Sequence, residues 1–262
     1  FLDVGQGDAS LITLPSGPHT KTFGVGAGWH TVQILIDGGP STAILPALEA
    51  VMPKGDRSID LVLLTHPQLD HFGGLIDVMK RYRVGAFIWN GRAGTIGEWN
   101  DLIRAVEEAG VPAVVLGKGG AIRFGSRALA VLHPDRSGLV SGELNDSSLV
   151  VRLEADGIRA LFTGDIGANI ERRLSPDELV ADILKVPHHG SKYSSSKEFL
   201  ERVKPKAAFV EVGKNNYGHP TEEALTRLAE AGSRIFRTDR DGTVVLRWSG
   251  GKLFAIPSKQ RE

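Results

Sequence analysis

The stretch LVLLTHPQLDHFGGL, residues 61–75, decides the architecture that we predict for this chain. It begins as a continuous apolar run, which is typical of a strand buried on both faces. The run then enters a loop that holds His66, Asp70 and His71. Imidazole and carboxylate groups together suit Zn²⁺, Mn²⁺ or Fe²⁺, so this loop is a candidate metal-binding segment. Gln68 stands where a further ligand is expected, and its neutral amide is a poor ligand beside imidazole or carboxylate.

Three other segments repeat the pattern of an apolar strand followed by ligand-type side chains. They are LIDGG with Asp37, LFTGD with Asp165, and ILKVPHHG with His188 and His189. Aspartate before glycine is also a common turn signal, so Asp37 and Asp165 taken alone are readily explained as turn residues. Four such clusters are hard to obtain from turn chemistry alone. Because strand ends at one edge of a sheet converge, we expect them to form one metal site.

Composition limits the class of protein. Of the 262 residues, 41% are hydrophobic and 24% charged, as in a globular protein with a sizeable core. The formal net charge is zero, so a polyanion would have to be held by a local patch or a bound cation. The absence of cysteine excludes a disulfide scaffold, thiolate catalysis and cysteine-based zinc sites. No apolar run approaches the ~20 residues of a membrane span, and we interpret the strand-like start, without a signal peptide, as a trimmed one.

The order of elements predicts an α/β fold. Short strands rich in glycine turns alternate with helices in two roughly similar halves, which favours two sheets packed face to face with helices outside. FLDV at residues 1–4 is predicted to be a strand, and residues 19–30 the tip of a hairpin. We see no linker and expect a single domain over residues 1–262.

An ordered set of segments resembles a known family. The set is FLDVGQGDA, LIDGG, THPQLDHFGG, NDSSLVVRL, LFTGD, KVPHHGS and NYGHP. Together these segments resemble the metallo-β-lactamase fold, and more narrowly the C-terminal β-lactamase-like domain of ComEC-type competence proteins, in register from Phe1 to about Trp248. The resemblance implies a four-layer αβ/βα sandwich of two mixed sheets with outer helices, and a site at one edge.

The resemblance also implies a ligand set. The HxHxDH loop of the family falls on His66, Gln68, Asp70 and His71, and Asp165 matches the carboxylate that bridges two metals. The last ligand falls on the histidine pair, where we prefer His188 to His189 because it lies nearer the end of the strand. A third histidine of many members is replaced by the Asn145 region. The predicted metal ligands are therefore His66, Asp70, His71, Asn145, Asp165 and one of His188 and His189.

Gln68 makes the two implied metal positions unequal. The position that uses Asp70, His71, Asp165 and a late histidine keeps all of its ligands. The position that uses His66, Gln68 and the Asn145 region keeps one strong ligand and a share of Asp165. We therefore expect one firm site for Mn²⁺ or Zn²⁺ and one weak site, where Mg²⁺ is also plausible.

Further polar residues are candidates for catalysis or support. The candidate catalytic residues are Asp70, His219 and Lys192. His219 and Lys192 could each contact a substrate phosphate, and His219 could also donate a proton. Asp8 and Asp37 either orient the ligand side chains without binding the metal themselves or only cap turns. Basic residues around the histidine loop either contact nucleic acid or form a solvated face; they are Lys185, Lys192, Lys197, Arg202, Lys204 and Lys206.

The resemblance implies a metal-dependent phosphodiesterase, a nuclease that degrades one DNA strand during uptake for natural transformation. It also implies a soluble, monomeric domain of a membrane-channel protein on the extracytoplasmic face of the cell membrane. Two alternatives remain open. One is a hydrolase of small phosphodiesters or other esters, such as a choline-phosphate esterase that uses an aromatic cage. The other is a degenerate, non-catalytic DNA-binding or docking module.

Overall fold

A computed structural model describes residues 1–15, 31–249 and 251–260 of the chain. The first of its two large sheets has five strands in the order β1-β2-β3-β4-β5, with β1 antiparallel to β2 and the others parallel. Its strands are β1 (Ser10–Pro15), β2 (Thr31–Ile36), β3 (Ser58–Leu63), β4 (Arg83–Trp89) and β5 (Ala113–Val115).

The second large sheet has seven strands in the order β12-β11-β10-β9-β8-β7-β6. Strands β9 to β12 are parallel, whereas β6 to β9 pair antiparallel. Its strands are β6 (Ala121–Phe124), β7 (Arg127–His133), β8 (Val150–Ala155), β9 (Ile158–Phe162), β10 (Ile183–Lys185), β11 (Ala207–Val210) and β12 (Arg234–Arg237). A separate antiparallel hairpin consists of β13 (Val244–Ser249) and β14 (Lys252–Pro257).

Helices connect many of these strands. The described helices are α1 (Ile44–Val51), α2 (Leu69–Phe72), α3 (Leu75–Arg81), α4 (Gly97–Glu108), α5 (Arg136–Leu139), α6 (Ala168–Glu171), α7 (Lys197–Val203), α8 (Glu222–Glu230) and α9 (Thr238–Asp241). Three short 3₁₀ turns occur at Asn145–Ser147, Pro176–Glu178 and Pro187–Gly190. Where the chain is described, no helix combines the length and the apolar character that a membrane crossing requires.

Alternation along the strands builds the layers. Successive side chains of a strand point to opposite faces, so Val62 lies in the core under the helices of the first sheet, whereas Leu63 lies between the two sheets. In β9, Phe162 lies between the sheets and Leu161 faces the helices of the second sheet. Both faces of each sheet are thus covered, and the predicted αβ/βα sandwich is confirmed.

Two local predictions have other outcomes. Residues 1–4 were predicted to be a strand and are instead irregular; the Leu2 N–H donates to the Ala9 carbonyl at 2.8 Å and closes a short loop. The predicted hairpin tip at residues 19–30 lies outside the described residues. The strands that flank it, β1 and β2, do pair antiparallel, with Ser10 opposite Ile36.

Candidate metal centre

The predicted polar clusters follow strands that end at one edge of the sandwich. Strand β2 is parallel to β3 in the first sheet, and β9 is parallel to β10 in the second. Asp37 follows β2 directly, and Asp165 lies three residues after β9. Since neighbouring parallel strands bring their carboxyl ends to the same edge, the loops after these strands meet there.

Four side chains of the ligand type converge at this edge. Oδ2 of Asp165 lies 3.4 Å from Nε2 of His71 and 3.3 Å from Nε2 of His189. Oδ2 of Asp70 lies 3.3 Å from the same His189 nitrogen. His71, Asp165 and His189 are buried, whereas the Asp70 side chain is 31% exposed. The cluster is therefore reached from solvent on the Asp70 side.

The unsatisfied atoms of this cluster fit a cation. Nε2 of His71, Nε2 of His189 and Oδ1 of Asp165 are buried and lack a hydrogen-bond partner, although buried polar atoms are normally paired. Four carboxylates, those of Asp8, Asp37, Asp70 and Asp165, surround the two rings with one buried ammonium group. A divalent cation would satisfy these nitrogens and offset the surplus negative charge, and imidazole with carboxylate is a donor set that Zn²⁺ and Mn²⁺ accept.

Hydrogen bonds on the far side of each ring select its tautomer. Nδ1 of His71 lies 2.9 Å from Oδ2 of Asp37, and Nδ1 of His189 lies 2.8 Å from the carbonyl oxygen of Glu211. A carbonyl or carboxylate oxygen only accepts, so each Nδ1 donates. In each neutral ring, the lone pair of Nε2 then faces Asp165, as a metal ligand requires.

Asp37 serves both functions that its sequence context allowed. Its backbone is left-handed with φ 58°, which makes the turn into Gly38. Its carboxylate also accepts hydrogen bonds from the Thr65 N–H at 2.8 Å and the Thr65 hydroxyl at 2.7 Å. Together with the bond to His71, these contacts fix the metal-binding loop to the end of β2.

The environment of Lys185 differs from both predictions for the basic residues, contact with nucleic acid and a solvated face. Its side chain is buried and cannot reach an external phosphate. Its ammonium group forms an ion pair with Asp8, donates to the Gly164 carbonyl at 3.2 Å and lies 3.6 Å from Oδ1 of Asp165. Asp8 in turn lies 3.2 Å from Nδ1 of His189. Lys185 and Asp8 thus contact the buried sides of Asp165 and His189 and help to hold them in place.

Gln68 contacts the ligand atom of His66. Its amide oxygen lies 3.1 Å from Nε2 of the buried His66. Burial and the neighbouring His71 lower the pKa of His66 to about 3, so its ring is neutral. His66 still lies close enough to His71 and Asp165 to share an ion with them. The predicted ligand Asn145 has a buried amide oxygen without a hydrogen-bond partner, and none of the described contacts joins it to His66.

The backbone decides between the two neighbouring histidines. His188 and His189 both have left-handed backbone angles, with φ 50° and 52°, and Gly190 follows with φ 81°. Such a turn is unusual for residues other than glycine and carries strain. It directs the His189 ring into the cluster and leaves His188 32% exposed, with Nε2 4.0 Å from Asp165. His189 therefore lies closer to Asp165 than the expected His188 does, and it becomes the candidate ligand of the pair.

The candidate catalytic residues lie at different distances from the cluster. The ring of His219 is 5.4 Å from that of His188, which places it beside the histidine loop. Burial and His188 lower the pKa of His219 to about 4, so this ring is neutral near pH 7. Lys192 is exposed, and its ammonium group lies 5.2 Å from the centre of the Tyr193 ring. It forms none of the described ion pairs with the cluster.

The charges of the cluster depend on one another. Burial raises the pKa of Asp70, but the nearby rings of His189 and His71 outweigh this effect and hold it at about 2. Burial lowers the pKa of His71 and of His189, but Asp165 and Asp8 outweigh burial and raise both well above the usual value. Without metal, the two rings thus hold protons that an incoming cation must displace.

Comparisons with known proteins give relatives that match most of this chain. ComE operon protein 3 of Bacillus subtilis (strain 168) is 30% identical over 260 residues, which cover 95% of this chain and 32% of that protein. Competence protein ComA of Neisseria gonorrhoeae is 30% identical over 249 residues, which cover 92% of this chain and 32% of that protein. This chain thus spans about a third of the length of these relatives.

A solved structure and a family profile give the broader classification. The crystal structure of the metallo-beta-lactamase fold protein YhfI from Bacillus subtilis has a TM-score of 0.51 and 11% identity, and the likeness covers 88% of this chain and 96% of that one. At this identity the likeness concerns the fold alone. The profile of the Metallo-beta-lactamase superfamily matches residues 32–213, more than half of the sequence. The chain therefore belongs to the metallo-β-lactamase superfamily.

Proposed function

We propose that this chain is a metal-dependent phosphodiesterase that cleaves DNA without sequence specificity. The observation that carries the proposal is the group of buried, unpaired donor atoms of His71, His189 and Asp165 beside Asp70, open to solvent on one side. The superfamily implies a divalent metal, and these four residues would hold it. A cation bound there polarises a phosphoryl oxygen and lowers the pKa of water.

The residues of the chain prepare the site for this chemistry. Asp37 and the Glu211 carbonyl hold the two rings in place through Nδ1, so a cation would need to displace only the protons on Nε2. Asp70 is the most exposed of the four ligand residues and is ionised at neutral pH. It can therefore both bind the cation and orient a water molecule as a proton acceptor. His219 and Lys192 supply further polar contacts for the phosphate from neighbouring loops.

The amide of Gln68 is a reason to expect one firm metal position and one weaker position. The second position would use His66, whose ligand nitrogen faces the Gln68 amide rather than a third imidazole or carboxylate. An amide binds Zn²⁺ or Mn²⁺ weakly, whereas Mg²⁺ accepts neutral oxygen ligands and water. The first position is therefore expected to fill with Mn²⁺ or Zn²⁺ at lower metal concentration.

The test is cleavage under controlled metal content. The protein is incubated with single-stranded DNA and with plasmid in EDTA, Zn²⁺, Mg²⁺ or Mn²⁺. We expect cleavage that requires added metal and is lost in Asp70→Ala and His189→Ala. His188→Ala is the matched control, because it changes the neighbouring ring and leaves the cluster intact; it should lose less activity than His189→Ala. DNA that stays intact in every metal contradicts the proposal, and DNA binding without cleavage would indicate a non-catalytic module.

We further propose that the cleavage serves DNA uptake, with one strand degraded while the other is imported. The name of one relative, Competence protein ComA, refers to competence and supports this role. In such a protein we expect the domain on the extracytoplasmic side of a membrane channel, as a monomer. A strain that carries Asp165→Asn in its own copy should lose transformation but retain wild-type levels of the protein.

The choline-phosphate alternative finds little support at the site. Trp89 and Trp99 pack against each other, with ring centres 5.6 Å apart, in the core beneath the first sheet. Trp29 lies outside the described residues. An aromatic cage would need several ring faces around one point, and of the described candidates only Tyr217 lies near the histidine loop.

A further inference from the structure

Two exposed tyrosines lie on the loops that flank the metal cluster. The exposed fractions of Tyr193 and Tyr217 are 71% and 75%. In the described part of the chain, the other exposed large aromatic side chains are Trp248 and Phe254 on the β13–β14 hairpin, at 37% and 51%. The loop of Tyr193 follows the histidine pair, and the loop of Tyr217 contains His219.

A row of rings joins Tyr217 to the cluster. His188 lies 4.0 Å from Asp165 through Nε2, and the His219 ring lies 5.4 Å from His188. The Tyr217 ring follows at 5.9 Å from His219, inclined by 33°. One face of Tyr217 is thus backed by an imidazole while most of the side chain remains exposed to solvent. A flexible chain that lies along this row would pass from the tyrosine to the cation site.

The loop of Tyr217 is held in place by one side chain. Asn215 donates to the carbonyl oxygens of Gly213 and His219 at 2.9 and 2.8 Å. Its amide oxygen accepts from the N–H groups of Tyr217 and His219 at 3.0 and 3.1 Å. The hydrogen bonds of Asn215 therefore hold the loop in a conformation that exposes the Tyr217 ring to solvent. Packing of the fold does not explain this exposure.

The loop of Tyr193 is braced in the same manner. Arg227 donates to the carbonyl oxygens of Lys192, Ser194 and Ser195. The Tyr193 carbonyl accepts from the Ala168 N–H at 2.9 Å, which connects this loop to the one that follows Asp165. The Lys192 ammonium lies 5.2 Å from the ring centre, so a cation accompanies the aromatic face.

The two loops are also in contact with each other. The Thr221 N–H donates to the Gly190 carbonyl at 2.9 Å, and a Cβ atom at Gly190 would lie 2.6 Å from Cβ of Pro220. Tyr193 comes three residues after this contact in sequence, and Tyr217 three residues before it. The two tyrosines therefore lie on loops that meet at one junction, next in sequence to the buried His189.

We infer that Tyr193 and Tyr217 form a base-stacking surface that selects single-stranded DNA and leads it to the metal cluster. Bases of a single strand can stack on exposed aromatic rings, whereas bases inside a duplex are already stacked on one another. The exposed Lys192 and Lys214, which flank the two tyrosines in sequence, supply charge for the phosphates. This inference names the form of DNA for the proposed function and depends on that function only for the cleavage step.

The test measures binding in the metal-free protein. In EDTA, fluorescence anisotropy gives the Kd for a thymidine strand of about 20 nucleotides. This strand is longer than the stretch that a binding site for single-stranded DNA usually covers. The comparison probes are a duplex of equal length, a strand with tetrahydrofuran units in place of bases, and a uridine strand. We expect the thymidine strand to bind most tightly, and Tyr217→Ala and Tyr193→Ala each to weaken it roughly fivefold or more. Neither variant should change the Kd of the strand without bases.

Matched variants separate stacking from a structural role. Tyr217→Phe keeps the ring and should retain the wild-type Kd, and Phe254→Ala, which removes an exposed ring from the β13–β14 hairpin, should have no effect. The inference is overturned if the tyrosine variants bind normally, if they weaken the base-free strand equally, or if duplex or RNA binds more tightly than single-stranded DNA. Metal-dependent cleavage with unchanged binding in the variants would reject the stacking surface alone. Tyrosine-dependent binding without cleavage in any metal would reject the proposed function alone.

Discussion

Oδ2 of Asp37 lies 2.9 Å from Nδ1 of His71, on the side of the ring opposite the metal cluster. Because this contact fixes the ring and its tautomer, Asp37→Asn should weaken metal binding roughly 10- to 100-fold. Competition with a chelating dye measures the change. Asp101→Asn is the control, since Asp101 is exposed and forms a surface ion pair with Arg104 on helix α4. Equal affinities in the two variants would mean that Asp37 merely makes a turn.

The buried pair of Lys185 and Asp8 predicts a large loss of stability. Lys185→Met leaves Asp8 buried without its main cation, a change that typically costs ~3–5 kcal/mol. Urea unfolding of the metal-free protein measures this loss. The double variant with Asp8→Asn should lose less than the sum of the two single variants, since the pair is coupled. Lys206→Met, at an ion pair where the lysine is 76% exposed, should cost at most about 1 kcal/mol; equal losses at both sites would contradict this account.

Gln68 predicts a change in metal stoichiometry. Gln68→His places an imidazole beside His66, so the number of metal ions retained after dialysis should rise from about one to about two. Elemental analysis of the purified protein measures the ratio. Gln68→Ala removes the amide without adding a ligand and should leave the ratio at about one. If Gln68→His also retains one ion, the unequal positions have another cause.

Acid should weaken metal binding. In the metal-free protein, burial lowers the pKa of His71 and of His189, but Asp165 and Asp8 outweigh it, so both rings are protonated near neutral pH. A cation must displace these protons, and its apparent affinity should therefore tighten as pH rises, by about tenfold per pH unit for each proton released. Calorimetry in two buffers of different ionisation heat counts the protons. An affinity that is constant between roughly pH 6 and 8 would be inconsistent with these raised pKa values.

Local patterns predicted the fold well because its layers depend on them. The alternation at Val62 and Leu63 assigns each side chain to one core, and strands that end in polar residues identify the edge where the site forms. Neither signal needs knowledge of distant parts of the chain. The sandwich, and the edge at which the polar side chains converge, could therefore be predicted from the sequence.

Other features of the site depend on long-range geometry. The choice of His189 over His188 follows from a left-handed backbone turn that residue identity does not indicate. Lys185 resembles any lysine at the end of a strand, and its burial depends on Asp8, which comes from the other end of the chain. The carbonyl group of Glu211 has no side-chain signature at all. The orienting contacts could therefore be assigned only from the structure.

The most direct test of the central claim is the location of the bound ion. Crystals of the protein grown with Zn²⁺ are measured above and below the zinc absorption edge, and the anomalous difference map locates the metal. We predict a strong peak in contact with Nε2 of His71, Nε2 of His189 and the carboxylates of Asp70 and Asp165. A map without a peak at this position, in crystals that bind zinc elsewhere, would contradict the account.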